Sequence, residues 1–377
     1  MMSIKSKAAV LHNSGLPRPY SISKPIIIEE VELDEPEFGE VLVKVVAAGL
    51  CHSDLSVVNG NRPKEMPILI GHEGSGIVEK VGVGVENFKV GDHVVFVFIA
   101  ACGSCIRCKE GKPSLCKPGM LTSSAGTLLS GKKKIKLNNK YINHHVGVSC
   151  FSEYAVVSSK SLVKISKDIP LDEAALMGCA VITGAGAVFN TAKIRVGSTN
   201  AIFGLGGTGL AALMGARAAG ASKVVGIDLI ESKLNIAKEL GADLILKADD
   251  INIIDKINNF TEGGVDYAFE CVGSEKSLEM AYKSLKRGGE VISSGLSNPK
   301  KSFVINHVDL VVGEKVIKGS YLGSCIPSRD IPAYIDLYKS GRLPINHLMS
   351  DKIKLNEINQ AFDKLADGNV VRQLIIF

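Results

Sequence analysis

The sequence lacks the features that mark secreted and membrane proteins. No stretch has the flanks of a signal peptide, and the first residues run directly into alternating, strand-like sequence. An uncharged segment of nearly bilayer length, residues 174–192, is built from Ala, Gly, Thr, Cys and Asn more than from Leu or Ile. Such a composition favours a buried helix over a membrane span. We therefore expect a cytoplasmic protein with no membrane partner.

The chain also lacks a pattern suited to nucleic acid. Its net charge of +5 is spread thinly over 377 residues. The clearest basic cluster, residues 132–136, contains no aromatic side chain that could stack on bases, so a solvated loop is favoured. We expect no nucleic-acid partner. The length suits two domains, whose aliphatic cores need no disulfides.

Nine cysteines without a secretion signal indicate a reducing compartment, where clustered thiols bind metal or do chemistry. Four of them are separated by gaps of two, two and seven residues: Cys102, Cys105, Cys108 and Cys116. Four thiolates can close on one tetrahedral zinc with no position left open, which predicts a structural zinc. An iron–sulfur cluster is the alternative that four thiolates also allow.

A second metal site is predicted around Cys51 and His72, in the segments Cys-His-Ser-Asp and Gly-His-Glu. A zinc that does chemistry takes three protein ligands, so that water or substrate can occupy the fourth position. Cys179, far away in the sequence, is the candidate for the third ligand. The alternative is that these residues are buried thiols and a hydrogen-bonded core histidine. The adjacent His144 and His145 are interpreted as packing or surface residues.

The two halves of the chain differ in texture. Up to about residue 97, short Val-rich runs are separated by glycines at turns, which predicts a compact antiparallel or barrel-like β domain. Beyond Asp172 and Glu173, strand and helix signals alternate, which predicts a doubly wound parallel sheet of about six strands. The fold class is therefore α/β.

A dinucleotide fingerprint opens the second half. The strand 201–203 leads into a glycine loop, a helix follows at once, and the next strand ends in Asp228. The loop contains the glycines Gly204, Gly206, Gly207 and Gly209. Gly206 lets the backbone approach a pyrophosphate, Gly209 lets the helix pack close to the strand, and the helix N-terminus stabilises phosphate charge. The Asp228 carboxylate would accept hydrogen bonds from the ribose hydroxyls and would repel a 2′-phosphate, so NAD is predicted over NADP.

These motifs, in this order, resemble the zinc-dependent alcohol dehydrogenases of the medium-chain dehydrogenase/reductase superfamily. The likeness covers essentially the whole chain. It implies a GroES-like β-rich catalytic domain of residues 1–180, completed by 325–377, and a Rossmann NAD-binding domain of residues 181–324. It also implies two zinc ions per chain, one catalytic and one structural, and NAD as cofactor.

The resemblance assigns roles residue by residue. Cys51, His72 and Cys179 match the catalytic zinc ligands, and the four clustered cysteines match the structural ones. Three further residues match the catalytic machinery: Ser53 takes the proton from the alcohol, Glu73 lies behind the zinc, and Asp54 orients the ligand histidine. The remaining matches are cofactor contacts: His52 and Arg372 at the pyrophosphate, and Lys233 on the adenosine side. Many relatives also carry a histidine at the position of Ser56, which this chain lacks.

The implied reaction is the reversible oxidation of primary alcohols, aromatic or medium-chain, to aldehydes with hydride transfer to NAD. One alternative is an S-(hydroxymethyl)glutathione (formaldehyde) dehydrogenase, but that branch carries an arginine at the position of Met120 and an acid at that of Arg62. Another is a catalytically silent nucleotide-binding protein, which typically loses catalytic zinc ligands. The polar insertion 122–149 resembles that of dimeric relatives, so we expect a homodimer rather than a homotetramer.

Overall fold

The computed structural model describes residues 3–377, which divide into two compact units. The first unit contains residues 3–179 together with Ile326–Pro332 and Met349–Phe377, and the second contains Ala180–Cys325 and Ala333–Leu348. The segment Ala333–Leu348 thus clusters with the second unit, whereas the domain boundaries predicted from sequence place it with the first. The predicted domain division itself stays a prediction.

The strands are numbered in chain order. They are β1 (Ile4–Leu11), β2 (Ile26–Leu33), β3 (Glu40–Gly49), β4 (Ile68–Leu69), β5 (Gly74–Val81), β6 (His93–Phe96), β7 (Ile135–Leu137), β8 (Lys140–Tyr141), β9 (Asn143–His144), β10 (Tyr154–Ser158), β11 (Leu162–Ile165), β12 (Thr199–Phe203), β13 (Lys223–Asp228), β14 (Leu244–Lys247), β15 (Val265–Glu270), β16 (Leu285–Ser293), β17 (Val316–Gly319), β18 (Met349–Ile353) and β19 (Arg372–Ile376).

The helices are numbered in the same way. They are α1 (Tyr20–Ser23), α2 (His52–Val58), α3 (Ile106–Lys109), α4 (Lys117–Ser124), α5 (Leu171–Ala174), α6 (Ala180–Gly186), α7 (Gly207–Ala218), α8 (Glu231–Glu239), α9 (Ile253–Thr261), α10 (Glu275–Lys283), α11 (His307–Val312), α12 (Pro327–Lys339) and α13 (Ile358–Ala366). Short 3₁₀ turns include Pro113–Leu115 and Ala175–Gly178, and a π-helical turn spans Ala187–Ala192.

The first unit is a β domain of two sheets, and its strand pairs are antiparallel apart from β18–β19 and β4–β9, in line with the antiparallel pairing that the Val-rich, glycine-punctuated texture predicts. One has the strand order β8-β7-β2-β1-β4-β9, and the other has the order β11-β6-β5-β3-β19-β18 with β10 also paired to β3. Strand β3 is the centre of the second sheet because Val41, Val43 and Val45 are all buried in the core of this unit. The C-terminal strand β19 returns to pair antiparallel with the end of β3, with Leu374 opposite Gly49.

The second unit is a six-stranded parallel sheet with the order β14-β13-β12-β15-β16-β17. The first strand of this unit, β12, lies in the middle, and the chain winds outward from it in both directions. This order is that of a doubly wound nucleotide-binding sheet, with its switch point between β12 and β15. The predicted parallel sheet of about six strands is confirmed.

Within residues 3–377, no single helix is both long enough and apolar enough to cross a membrane. The segments Leu171–Gly178 and Ala180–Ala192 reach the length and apolar composition of a membrane span only when the two are taken together, and the chain bends by 53° between them.

Candidate active site and zinc centres

Three ligand atoms converge in the first unit, each at the end of a regular element. Cys51 follows β3 and precedes α2, His72 follows β4, and Cys179 follows the 3₁₀ turn Ala175–Gly178. The two sulfurs and the imidazole nitrogen lie within 4.8 Å of one another, and all three residues are buried. The Sγ atoms of Cys51 and Cys179 are 4.0 Å apart. Tetrahedral zinc with Zn–S bonds of about 2.3 Å would place two sulfurs about 3.8 Å apart, so this donor set fits one zinc.

The charges around these three residues favour the ligating forms. The pKa of the Cys51 thiol is well below its usual value, because the Cys179 thiol hydrogen-bonds to it and the Arg372 guanidinium lies close, although burial opposes the shift. Nδ1 of His72 lies 2.8 Å from Oδ1 of Asp54, while Oδ2 of Asp54 accepts from the Cys51 backbone N–H at 3.2 Å. Because Asp54 engages Nδ1, the opposite ring nitrogen of His72 is the one left to ligate.

Glu73 and Arg372 form a second buried feature beside the ligands. Oε2 of Glu73 lies 3.3 Å from Nε of Arg372, and the two side chains are 0% and 3% exposed. Arg372 also donates from Nη1 to the Leu50 carbonyl at 3.0 Å, because β19 pairs with β3 at this point. Sequence reasoning missed this pair, since the two residues are remote in the chain. The predicted contact of Arg372 with the cofactor pyrophosphate stays a prediction.

The first turn of α2 holds two further residues with predicted roles, Ser53 as the group that takes the proton of the alcohol and His52 at the cofactor pyrophosphate. His52 is exposed and Ser53 is half-buried. The hydroxyl of Ser56, one turn further on, donates to the carbonyl of His52 at 2.8 Å. The Ser56 side chain stands where many relatives carry a histidine, and this hydrogen bond holds it against α2.

His145 is a residue whose surroundings the sequence did not reveal. It is buried, its Nδ1 lies 3.2 Å from Oδ1 of Asp54, and its ring meets the His72 ring edge-on with centroids 5.6 Å apart. The sequence offered one signal, the adjacent histidine pair, which we interpreted as packing or surface residues. Both histidines are in fact buried, and only His145 reaches the carboxylate behind the metal ligands.

His144 leads to a prediction about acid stability. Nε2 of its buried ring accepts a hydrogen bond of 3.1 Å from the Lys134 backbone N–H, and Nδ1 has no hydrogen-bond partner. Burial, reinforced by Lys133 and Lys134, lowers the pKa of His144 to about 3. Below about pH 6.5 the unfolded chain therefore binds a proton on this ring that the folded chain does not bind. The free energy of unfolding consequently falls as the pH drops from about 6.5 towards 3.

Replacing His144 by leucine should flatten this dependence. At about 1.4 kcal/mol per pKa unit, the ring accounts for a loss on the order of 5 kcal/mol over the interval. Urea unfolding measured at several pH values checks the slope, with His347→Leu, at an exposed position, as control. An unchanged slope in His144→Leu would contradict the assignment.

The four clustered cysteines form a separate lobe of the first unit. Their ligand atoms all lie within 4.8 Å of one another, and Sγ of Cys105 is 4.0 Å from Sγ of Cys116. Backbone N–H groups point at the sulfurs, from Cys102 and Gly119 to Cys116 and from Cys105 to Cys102, at 3.2 to 3.4 Å. Burial alone would raise the pKa of the Cys102 thiol. The N–H groups of Cys105 and Ser104 outweigh burial and lower the pKa of Cys102 to about 6. A tetrahedral four-thiolate zinc fits this lobe.

The glycine loop of the second unit has the geometry that a dinucleotide needs. Gly204 has φ +89°, and a Cβ at Gly209 would lie 1.7 Å from the Gly204 carbonyl oxygen, so neither position admits a side chain. Nothing lies within 4 Å of where a Cβ on Gly206 would be, which leaves open space beside the backbone. Gly207 begins α7 directly after it. The loop thus fits a pyrophosphate at the helix N-terminus.

Asp228 and Lys233 lie beside this loop. The Asp228 carboxylate accepts the backbone N–H groups of Leu205, at 2.7 Å, and Ile230, at 3.0 Å, and so braces the glycine loop. Lys233, in the first turn of α8, is buried, and that burial lowers its pKa despite the attraction of Asp228.

Comparison with known proteins agrees with the features described in each of the two units. Residues 37–167 match the family model of the alcohol dehydrogenase GroES-like domain, and residues 207–340 match that of the zinc-binding dehydrogenases. The chain is 37% identical to the class-3 alcohol dehydrogenase of Drosophila melanogaster over 362 residues, which is 94% of this chain and 95% of the relative. It belongs to the zinc-dependent alcohol dehydrogenases.

Solved structures of this family superpose over the whole chain. A zinc-binding-domain alcohol dehydrogenase from Burkholderia ambifaria matches with a TM-score of 0.94 and 32% identity, covering 100% of both chains. The benzyl alcohol dehydrogenase of Acinetobacter calcoaceticus matches with a TM-score of 0.92 and 32% identity, covering 99% of each.

Membership of the zinc-dependent alcohol dehydrogenases confirms the predicted GroES-like and Rossmann folds and the enzyme class, an NAD-dependent zinc oxidoreductase. The two ligand clusters fit its catalytic and structural zinc ions. The roles of individual side chains stay predictions.

Proposed function

We propose that the enzyme reversibly oxidises primary alcohols, benzylic or medium-chain, to aldehydes with hydride transfer to NAD. The observation that carries the proposal is the buried set of Cys51, His72 and Cys179, backed by Asp54. The likeness to a benzyl alcohol dehydrogenase over 99% of the chain supports an aromatic or similarly sized alcohol. All nine cysteines are free thiols, which supports the cytoplasm as its location.

In this proposal each side chain of the site has a separate role. Cys51, His72 and Cys179 hold the zinc, which when bound supplies a Lewis acid for the alcohol or carbonyl oxygen. Asp54 fixes the ring of His72. The Ser53 hydroxyl accepts the proton of the alcohol and passes it on. Because Ser56 donates to the His52 carbonyl and is not a histidine, this position offers no imidazole that would carry the proton on from Ser53.

A second candidate substrate is S-(hydroxymethyl)glutathione, favoured by the 37% identity to a class-3 alcohol dehydrogenase. Two side chains argue against it. Met120, where that branch carries an arginine for the adduct's carboxylate, is an exposed thioether that offers no charge to an anion. Arg62 stands where that branch has an acid.

A substrate screen decides between the two. Ethanol, hexanol, benzyl alcohol and S-(hydroxymethyl)glutathione are each supplied with NAD, NADH absorbance is followed, and zinc is counted by elemental analysis. We expect two zinc ions per chain and the highest kcat/KM with benzyl alcohol or hexanol. A clear preference for S-(hydroxymethyl)glutathione would establish the alternative, and one zinc per chain would count against both.

Asp228 should determine the choice of cofactor. Its carboxylate ends β13 at the ribose side of the glycine loop, and bringing a 2′-phosphate against it costs several kcal/mol. We expect NAD to be preferred over NADP by about 100-fold in kcat/KM, which corresponds to about 2.7 kcal/mol. Asp228→Asn keeps an acceptor for the Leu205 N–H but removes the charge, and should reduce the preference about tenfold.

Asp243→Asn is the matched control for this change, because Asp243 also accepts a backbone N–H, from Val224 at 2.7 Å, just before β14. Steady-state kinetics with both cofactors provide the measurement. Equal cofactor ratios in the Asp228 and Asp243 variants would contradict the role.

We propose further that two copies associate through the open edge of the second unit. Strand β17 is the last strand of its sheet, so its outer hydrogen-bonding groups are available for a second copy. Apolar side chains of the neighbouring segment are exposed: Phe303, Val304, Val308, Val311, Val312 and Val316. Such a patch beside an unpaired edge is typical of a homodimer interface.

Light scattering tests the homodimer. The unsubstituted enzyme should have the mass of two chains, and Val308→Glu should shift it to one. Val196→Glu, at an even more exposed valine elsewhere on the second unit, should leave the dimer intact. A mass of four chains would mean a homotetramer and a second interface.

A further inference from the structure

His145 lies behind the predicted ligand histidine, in a position that the proposed reaction does not use. Its Nδ1 is 3.2 Å from Oδ1 of Asp54, the same oxygen that lies 2.8 Å from Nδ1 of His72. The N–H direction at His145 is off line, so the contact is electrostatic rather than an aligned hydrogen bond. All three side chains are buried, where a dipole this close to a carboxylate acts more strongly than in water.

The backbone around His145 is held in place. Strand β9 ends at His144 and pairs in parallel with β4, with His144 opposite Leu69, so adjacent strands present the two rings that meet at Asp54. The His145 N–H reaches Ser149 Oγ at 2.8 Å, and that hydroxyl donates to the Leu69 carbonyl at 2.8 Å. Val146, at φ +47°, lies in the left-handed region that costs a β-branched residue roughly 1–2 kcal/mol, so the surrounding structure must over-determine the turn.

The neighbouring histidine makes a sharp comparison. His144 is equally buried, but its Nε2 accepts a hydrogen bond from the Lys134 N–H, and it does not belong to the group formed by Asp54, His72 and His145. The two adjacent rings therefore differ in one respect that matters here, which is contact with the carboxylate behind His72.

We propose that His145 is a positioning residue for the metal site: it holds the Asp54 carboxylate so that Oδ1 faces His72, which directs the other nitrogen of that ring at Cys51 and Cys179. The inference rests on the proposed catalytic zinc site and deepens it. Asp54 has contacts at both oxygens, from Cys51 N at Oδ2 and from the two imidazoles at Oδ1. Without His145 the carboxylate keeps only one of its two imidazole contacts at Oδ1, and rotation away from His72 is opposed less strongly.

The test compares His145→Leu with His145→Asn in the zinc-loaded full chain. Leucine and asparagine have nearly the same shape, but only asparagine keeps an N–H donor near the position of Nδ1. We measure the rate of zinc transfer to a colorimetric chelator and the visible absorption of the cobalt-substituted protein. His145→Leu should release one of its two zinc ions at least about tenfold faster and shift the cobalt bands, as expected for a lost outer-shell partner. His145→Asn should stay close to the unsubstituted protein.

His144→Leu is the control, and it should leave zinc release and the cobalt spectrum unchanged even if its melting temperature falls. Equal acceleration in His144→Leu and His145→Leu, or in His145→Leu and His145→Asn, would overturn the inference, because shape or packing would then explain the effect. Unchanged release in His145→Leu would overturn it as well. If His145→Leu does not fold, His145→Gln replaces it, since the added methylene displaces the donor. An unsubstituted chain with a single zinc would instead overturn the proposed function.

Discussion

Replacing Cys179 with alanine should lower kcat/KM for alcohol oxidation by on the order of a thousandfold, because the Lewis acid that stabilises the transition state by several kcal/mol loses a ligand. Only Cys51 and His72 would remain of the buried set. Two ligands from the protein are too few for a zinc site, so the zinc content should fall from two ions per chain to one. Elemental analysis and NADH absorbance measure the two effects on one preparation.

Cys150→Ala provides the matched control for this experiment. Cys150 is also a fully buried thiol of the first unit, and its Sγ donates to the Glu73 carbonyl at 3.4 Å, but it is not part of either ligand cluster. Its loss should cost some stability and leave two zinc ions per chain. If Cys179→Ala kept both ions, or if Cys150→Ala lost one, the assignment of the third ligand would be wrong.

Replacing Arg372 with methionine should destabilise the protein by about 3–5 kcal/mol, because the Glu73 carboxylate would be left buried without its counter-ion. Glu73 is 0% exposed, and its Oε2 lies 3.3 Å from Nε of Arg372. Urea unfolding of the zinc-loaded chain, compared with the unsubstituted chain, measures the loss.

The double variant Glu73→Gln/Arg372→Met separates the pair from simple packing, because a neutral amide needs no counter-ion. It should recover most of the stability that Arg372→Met loses. Lys5→Met breaks the exposed Lys5–Glu30 pair on the same unit and should change stability by no more than about 1 kcal/mol. An Arg372→Met loss as small as that of Lys5→Met would show that the buried pair contributes little.

Several features could be read from the sequence because they depend on local spacing. The four clustered cysteines are close enough in the sequence that their gaps alone predict a shared metal site, and the structure brings all four sulfurs together. The glycine loop could also be predicted from the sequence, because its glycines are needed for local reasons. Gly204 allows a tight turn, and Gly209 allows the helix to lie close to the end of the preceding strand. The parallel sheet of the second unit followed from the alternation of strand and helix signals.

Other features depend on contacts between remote segments, which no local pattern encodes. The Glu73–Arg372 pair exists because β19 returns across the whole chain to pair with β3. Likewise His145 was placed with surface or packing residues because its partner, Asp54, is carried by a different element. Even Cys179 is only a candidate from the residues alone, because no spacing links it to Cys51 and His72, and the resemblance matches it to the third ligand.

By itself, then, the sequence determined which residue types are present for two zinc ions and a dinucleotide, and in which order the two folds occur. The tertiary structure decided which polar side chains face each other behind the ligands. The physical reason is that a buried charge must find its partner wherever the packing of strands β3, β4, β9 and β19 brings one near, and that packing is a property of the whole first unit.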